Sequence, residues 1–218
     1  LAHGAPPQID PVSAPLFLGH DDDLLDALRS LKQRCRQRAA RLLGVTDSQR
    51  VIFTFNATDS LNLAIHGLLR AGDHVITSGL EHNSVSRPLK HLEQNEIISV
   101  TRLLPKAGSA ISVDQIEQAC DPATRLICLQ HASNVTGAIQ PIAHIARFAR
   151  ARGIRFLVDA AQTAGAIPIE FDNDEIDLLA CAGHKGLLGP LGTGLLCLTA
   201  GIKQELSPIR QGGTGTQS

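Results

Sequence analysis

The sequence predicts an α/β fold of three layers, a mostly parallel seven-stranded sheet between helices with its last strand antiparallel. Three observations carry that reading. Short apolar runs alternate with amphipathic helical stretches along most of the chain. This is the pattern of strands buried on both faces and connected by crossover helices. Polar residues gather just after one apolar run after another, as they do where a parallel sheet presents a ligand-binding edge. Finally, the last two runs are joined by a short glycine-rich connection and not by a helix, which suits a reversal of strand direction.

Taken in order, residues 1–20 are rich in proline and turn formers and read as irregular. Asp21, Asp22 and Asp23 then precede Leu24, Leu25, Leu28, Leu31, Cys35, Ala39, Leu42 and Leu43. Spacings of three and four write an amphipathic helix, acidic at its start and basic toward its end, as the helix dipole favours. Gly44 stops it. From there the prediction is strand 50–55, helix 58–69, strand 74–78, helix 84–95, strand 97–102 and helix 113–120, with Ser112 as a cap. Strand 125–130, helix 142–152, and strands 154–158, 177–181 and 194–198 follow. The organisation expected is an N-terminal segment and helix over residues 1–44, then one large domain over 45–218.

Composition narrows the function. The formal net charge is −1, with 43% hydrophobic and 19% charged residues among 218. Near-neutrality gives no support for nucleic-acid binding, and no apolar run approaches the ~20 residues that span a bilayer. No basic-then-apolar leader is seen. The five cysteines, Cys35, Cys120, Cys128, Cys181 and Cys197, show no CxxC spacing and have apolar neighbours. They read as reduced, buried thiols, and the expected location is cytoplasmic. No histidines or acids show metal-ligand spacing, so no metal is expected. The glycine- and threonine-rich end reads as a loop, as in a piece of a longer protein.

The candidate site follows from what lies after each strand: Asn56-Ala57-Thr58, Glu81-His82-Asn83, His131 to Asn134, Asp159 to Gln162, and His184-Lys185. Lys185 sits between two apolar runs in a glycine-rich connection. A lysine buried there is a better nucleophile because desolvation disfavours its charged form, and such lysines form Schiff bases with pyridoxal phosphate (PLP). Taken alone it is equally a surface lysine in a turn. Asn56-Ala57-Thr58 opens a helix whose free N–H groups suit a phosphate, or Thr58 is a plain cap. Asp159 ends a buried strand and needs a partner, either a pyridine nitrogen or an ordinary ion pair. Gln162 and Asn134 could bond a ring hydroxyl oxygen. His82 could stack on a ring and move protons near neutral pH, or be structural. His66, His74, His91 and His144 read as structural and away from this edge. A GxGxxG turn, as a dinucleotide site requires, does not open the first of these helices.

Together these segments resemble the class V aminotransferase group of fold-type I PLP enzymes, and within it the cysteine desulfurases. The resemblance is carried by Val51 to Asn62, Gly72 to Thr77, Glu81 to Val85, His131 to Gly137, Val158 to Gln162 and Gly183 to Pro190, and it runs from about Leu42 to Thr216. It implies that Lys185 is the Schiff-base lysine and that His184 contacts the phosphate, which Ala57 (through its backbone) and Thr58 also hold. Asp159 would pair with the pyridine nitrogen, Gln162 and Asn134 would approach the ring oxygen, and His82 would stack and transfer protons. Ala57 and Ala182 stand where many relatives carry Thr and Ser. The resemblance further implies a homodimer, cysteine as substrate, sulfur transfer to an enzyme thiol and a sulfur-acceptor protein. The substrate-carboxylate arginine and persulfide cysteine belong to a C-terminal domain outside this chain. A C–S lyase, an epimerase, an aminotransferase and a non-catalytic PLP-fold binding module stay open.

Overall fold

A computed structural model of the protein describes residues 22–105 and 110–212. The irregular segment expected at residues 1–20, Asp21 and the chain end at 213–218 lie outside the described residues. The chain divides into two units, residues 1–35 and 36–218. The described part of the first is the start of helix α1, Asp22–Leu42. There Leu24, Leu25, Leu28 and Leu31 are all exposed. Cys35, expected on a packed face, is also exposed. The three-and-four spacing is that of a helix, as expected, but periodicity says which residues share a face and not whether that face is covered.

In the second unit all seven expected strands form, as one sheet: β1 (Val51–Thr54), β2 (His74–Ser78), β3 (Ser99–Leu103), β4 (Thr124–Gln130), β5 (Arg155–Asp159), β6 (Leu178–Ala182) and β7 (Gly194–Leu198). The order across the sheet is β1-β7-β6-β5-β4-β2-β3. Neighbours from β6 to β3 pair in parallel, and β7 is antiparallel to both β6 and β1. The reversed strand is thus internal. Its two reversals cancel, so β1 ends on the same edge as the parallel strands, and residues after β1, β2, β4, β5 and β6 can meet.

Helices α2 (Ala57–Leu68) and α3 (Asn83–Gln94) cover one face, and α4 (Val113–Ala119) and α5 (Ile142–Ala151) the other. Strand alternation divides the core between them. In β4, Leu126 and Cys128 pack with Leu61, Ile65 and Leu89, while Ile127 and Leu129 pack with Ile116 and Ile145. Each of these side chains is fully buried, a burial that contributes roughly 1.5–3 kcal/mol per large aliphatic residue.

Two polar attachments fix the ends of this core. Asp172 accepts from Arg50 Nη1 (2.8 Å), Arg50 Nη2 (2.5 Å), and the Thr46 N–H and hydroxyl (2.7 Å each). This ties the approach to β1 to the loop before β6. Asp177, the acid in the run leading toward Lys185, lies at the edge opposite that lysine. It accepts from Arg155 Nη1 (2.8 Å) and the Phe156 N–H (3.0 Å).

Candidate active site

The loops at the carboxyl edge enclose a cavity of ≈ 240 Å³. Ala57, Thr58, His82, Asn134, Asp159, Gln162, His184 and Lys185, the eight site residues expected from sequence, all line it. Asn56, Ser84, Gln130, Ala132, Ala161 and Ala182 complete the wall. Residues far apart in the chain, from Asn56 to Lys185, are gathered because five strands end at one edge of one sheet.

One wall is the N-terminus of α2. Asn56 caps it, accepting from the Asp59 N–H (2.8 Å). The N–H groups of Ala57 and Thr58 have no intrahelical acceptor, and they lie where the helix dipole is positive. Asp59, the acid that could compete for this end, instead accepts from the Phe55 N–H (3.1 Å) and pairs with Arg210. The Thr58 hydroxyl bonds that of Ser84 (2.7 Å), and Ser84 Oγ lies 2.8 Å from His82 Nδ1. The Ser84 N–H also donates to His82 Nδ1 (3.1 Å). With Nδ1 accepting, a neutral His82 ring carries its proton on Nε2. Ser84 is thus a link that the sequence reading passed over, because a serine in the first turn of a helix has no distinctive spacing.

Asp159 closes β5 at the cavity floor and is 5% exposed. Burial pushes its carboxyl up, while the Ala161 N–H (2.9 Å), Lys185 and His82 pull it down. Lys185 is half-buried, not enclosed as its apolar flanks suggested, and His184, Asn134, Gln162 and Thr58 are exposed. The loop bearing Lys185 rests against the turn after β5 with almost no clearance. A methyl group at Gly186 would lie 2.5 Å from the Ala164 carbonyl oxygen.

Ala57, Ala161 and Ala182 pack together as a small buried cluster beside Asp159. Their three methyl groups form an apolar patch in the cavity wall. The donors are concentrated at α2, His184 and Lys185, and the acid lies below. That donor set fits a flat ring with a phosphate at one end and a protonatable nitrogen at the other. Among the described residues, no group of three or more His, Cys, Asp or Glu could hold a metal ion.

The other histidines divide. His74 is buried and bonds Thr124 (2.8 Å) and Thr101 (2.9 Å), a structural role as expected. His66 and His91, placed away from the site in the sequence reading, line an adjoining groove between α2 and α3 that shares Thr58, His82 and Ser84 with the cavity. Helical residues one or two turns from a site face it only if the helices splay, which sequence does not reveal.

Residues 23–218 match the model of the family described as Aminotransferase class-V. The chain is 40% identical over 182 residues to the protein named cysteine desulfurase IscS of Tolumonas auensis, covering 82% of this chain and 44% of that protein. It therefore spans less than half the length of that relative. Among solved structures, SspA in complex with cysteine is 37% identical with a TM-score of 0.81, over 94% of this chain and 59% of that one. A C-DES variant with glycine covalently linked to its PLP cofactor is 25% identical with a TM-score of 0.80, over 90% and 52%.

Proposed function

The chain belongs to the class V aminotransferase family, and from that premise we propose that it forms the cofactor-holding part of a PLP-dependent cysteine desulfurase. The observation that carries this reading is the convergence of Lys185, Asp159, His82 and the α2 N-terminus on one cavity.

Bound there, PLP supplies an electron sink for a carbanion formed next to an amino group. The chain's own residues do the rest. The N–H groups of Ala57 and Thr58, the Thr58 hydroxyl and His184 hold the phosphate. Asp159, ionised and shielded from water, holds a proton on the ring nitrogen. Asn134 and Gln162 reach the ring oxygen. Lys185 would hold the cofactor through its amine and would accept the proton from the substrate carbon. His82 covers the ring face and moves protons through Nε2, with Ser84 holding Nδ1.

Cysteine is the proposed substrate, by analogy with a neighbour that holds it. The persulfide thiol and the group that binds the substrate carboxylate are assigned to the part of the relatives' length that these 218 residues do not span. A homodimer and a sulfur-accepting partner protein complete the proposal.

Borohydride reduction of the protein with PLP, followed by peptide mapping, tests the site. The label is expected on Lys185. A label on Lys90 or Lys203 instead would overturn the assignment.

A further inference from the structure

A second acid lies beside the floor of the cavity. Glu81 follows β2, is 9% exposed, and has no cationic group among the charges that act on it. The Ser78 hydroxyl donates to Oε1 (2.5 Å), and the Gln130 N–H donates to Oε2 (2.8 Å). The Gln130 side chain in turn donates to the Leu80 carbonyl (2.7 Å), so the turn carrying Glu81 is clamped to the end of β4 at two points. Gln130 is also the register partner of Asp159 on β5. The two carboxyl groups are therefore held at adjoining strand ends, both out of water. Ionising both would place like charges in a poorly solvated region, where one of the pair retains its proton.

The titratable groups facing Glu81 are Asp159 from β5 and Cys128 from β4, neither of which brings positive charge. Asp159 has Lys185 and His82 on its side. The asymmetry favours ionisation of the acid that lies near Lys185. Burial, with Asp159 adding to it, pushes Glu81 up to about 8 against its bonds to Ser78 and Gln130. Those bonds survive protonation. A hydroxyl and a carboxyl can share one hydrogen bond in either direction, and the Gln130 N–H needs only one free oxygen.

We propose that Glu81 is a positioning residue for the acid at the cavity floor: by holding a proton of its own it leaves Asp159 the ionised member of the pair, and it ties the end of β4 beside it. The inference deepens the proposed role of Asp159 and rests on that reading for its functional meaning, but its test needs no cofactor.

The experiment compares the unmodified 218-residue chain with Glu81→Gln by urea unfolding between pH 5 and pH 9. The sign follows from linkage. An acid whose folded value is raised stabilises the fold fully below its ordinary value, and that stability is lost as pH rises through the folded value. Glutamine is neutral throughout. The folding equilibrium constant of Glu81→Gln should therefore gain on the unmodified chain by roughly tenfold per pH unit from about pH 5 to about pH 8, then level off. Adding Asp159→Asn to both proteins removes the neighbouring charge and should move the levelling point to lower pH. Parallel pH profiles for the first pair, or a levelling point unmoved by Asp159→Asn, would overturn the proposal.

If Glu81→Gln does not fold, infrared titration of the unmodified chain and of Asp159→Asn gives the same answer. The carbonyl stretch of a buried protonated carboxyl should persist at neutral pH, disappear near pH 8, and disappear earlier in Asp159→Asn. Its absence at neutral pH would refute the idea. Failure of PLP to label Lys185 would refute the proposed function without touching these profiles.

Discussion

Gly165→Ala tests how the lysine loop is held. Gly165 has φ +85°, and a methyl group there would run into the backbone carbonyl of Gly186, next to Lys185. Two costs add. The left-handed conformation costs a residue with a Cβ about 1–2 kcal/mol. Overpacking against backbone, which cannot rotate away, costs a further ~1–3 kcal/mol. The expected total is roughly 2–5 kcal/mol. Gly72 separates the two costs, because it has φ +87° and a methyl group there would meet nothing within 4 Å. Gly72→Ala should lose only the first ~1–2 kcal/mol. Urea unfolding of both variants, read at constant m-value, gives the difference. Borohydride labelling of Lys185 in the presence of PLP gives its consequence, with a loss expected for Gly165→Ala alone. If both variants are destabilised equally and label equally, the close packing of the two turns does not position Lys185.

Three further outcomes follow from charge and burial. Burial pushes the Asp172 carboxyl up, but Arg50 and the two Thr46 donors outweigh it and hold it at about 2. Its stabilisation is therefore present above the ordinary carboxylate range and is lost as pH falls toward 2. Asp172→Asn should cost on the order of 1–2 kcal/mol at neutral pH after solvent screening and flatten the melting profile between pH 4 and pH 2; an unchanged acid limb would contradict it. Among the thiols, burial drives Cys128 and Cys197 far up and Cys181 to about 12, and it also raises Cys120. Iodoacetamide should therefore modify Cys35 first, Cys120 next, and the other three only on unfolding. Supplied with PLP, cysteine and a reductant, the chain should sustain no sulfide release, and release abolished by Cys35→Ser would show that the sulfur-accepting thiol is present after all.

The sequence by itself determined the element order and the edge where the chemistry gathers. Apolar runs such as Leu126–Leu129 can be buried only between two layers, and polar residues after such runs can only emerge at a strand end. That is why Lys185, Asp159, His82 and Thr58 were expected at one edge from the residues alone, and all four line one cavity there. The side on which an isolated polar residue falls was not legible. Glu81 stands next to His82 in the chain, yet it is sealed under Gln130 while His82 is exposed, because neighbouring residues in a turn leave in different directions. Ser84 joined His82 to Thr58 only when α2 and α3 were laid side by side. Cys35 and the leucines of α1 carry the pattern of a covered face and are exposed. Periodicity is a property of one helix, whereas burial is a property of what lies against it, so only the tertiary structure decided which side chains are packed and which are paired.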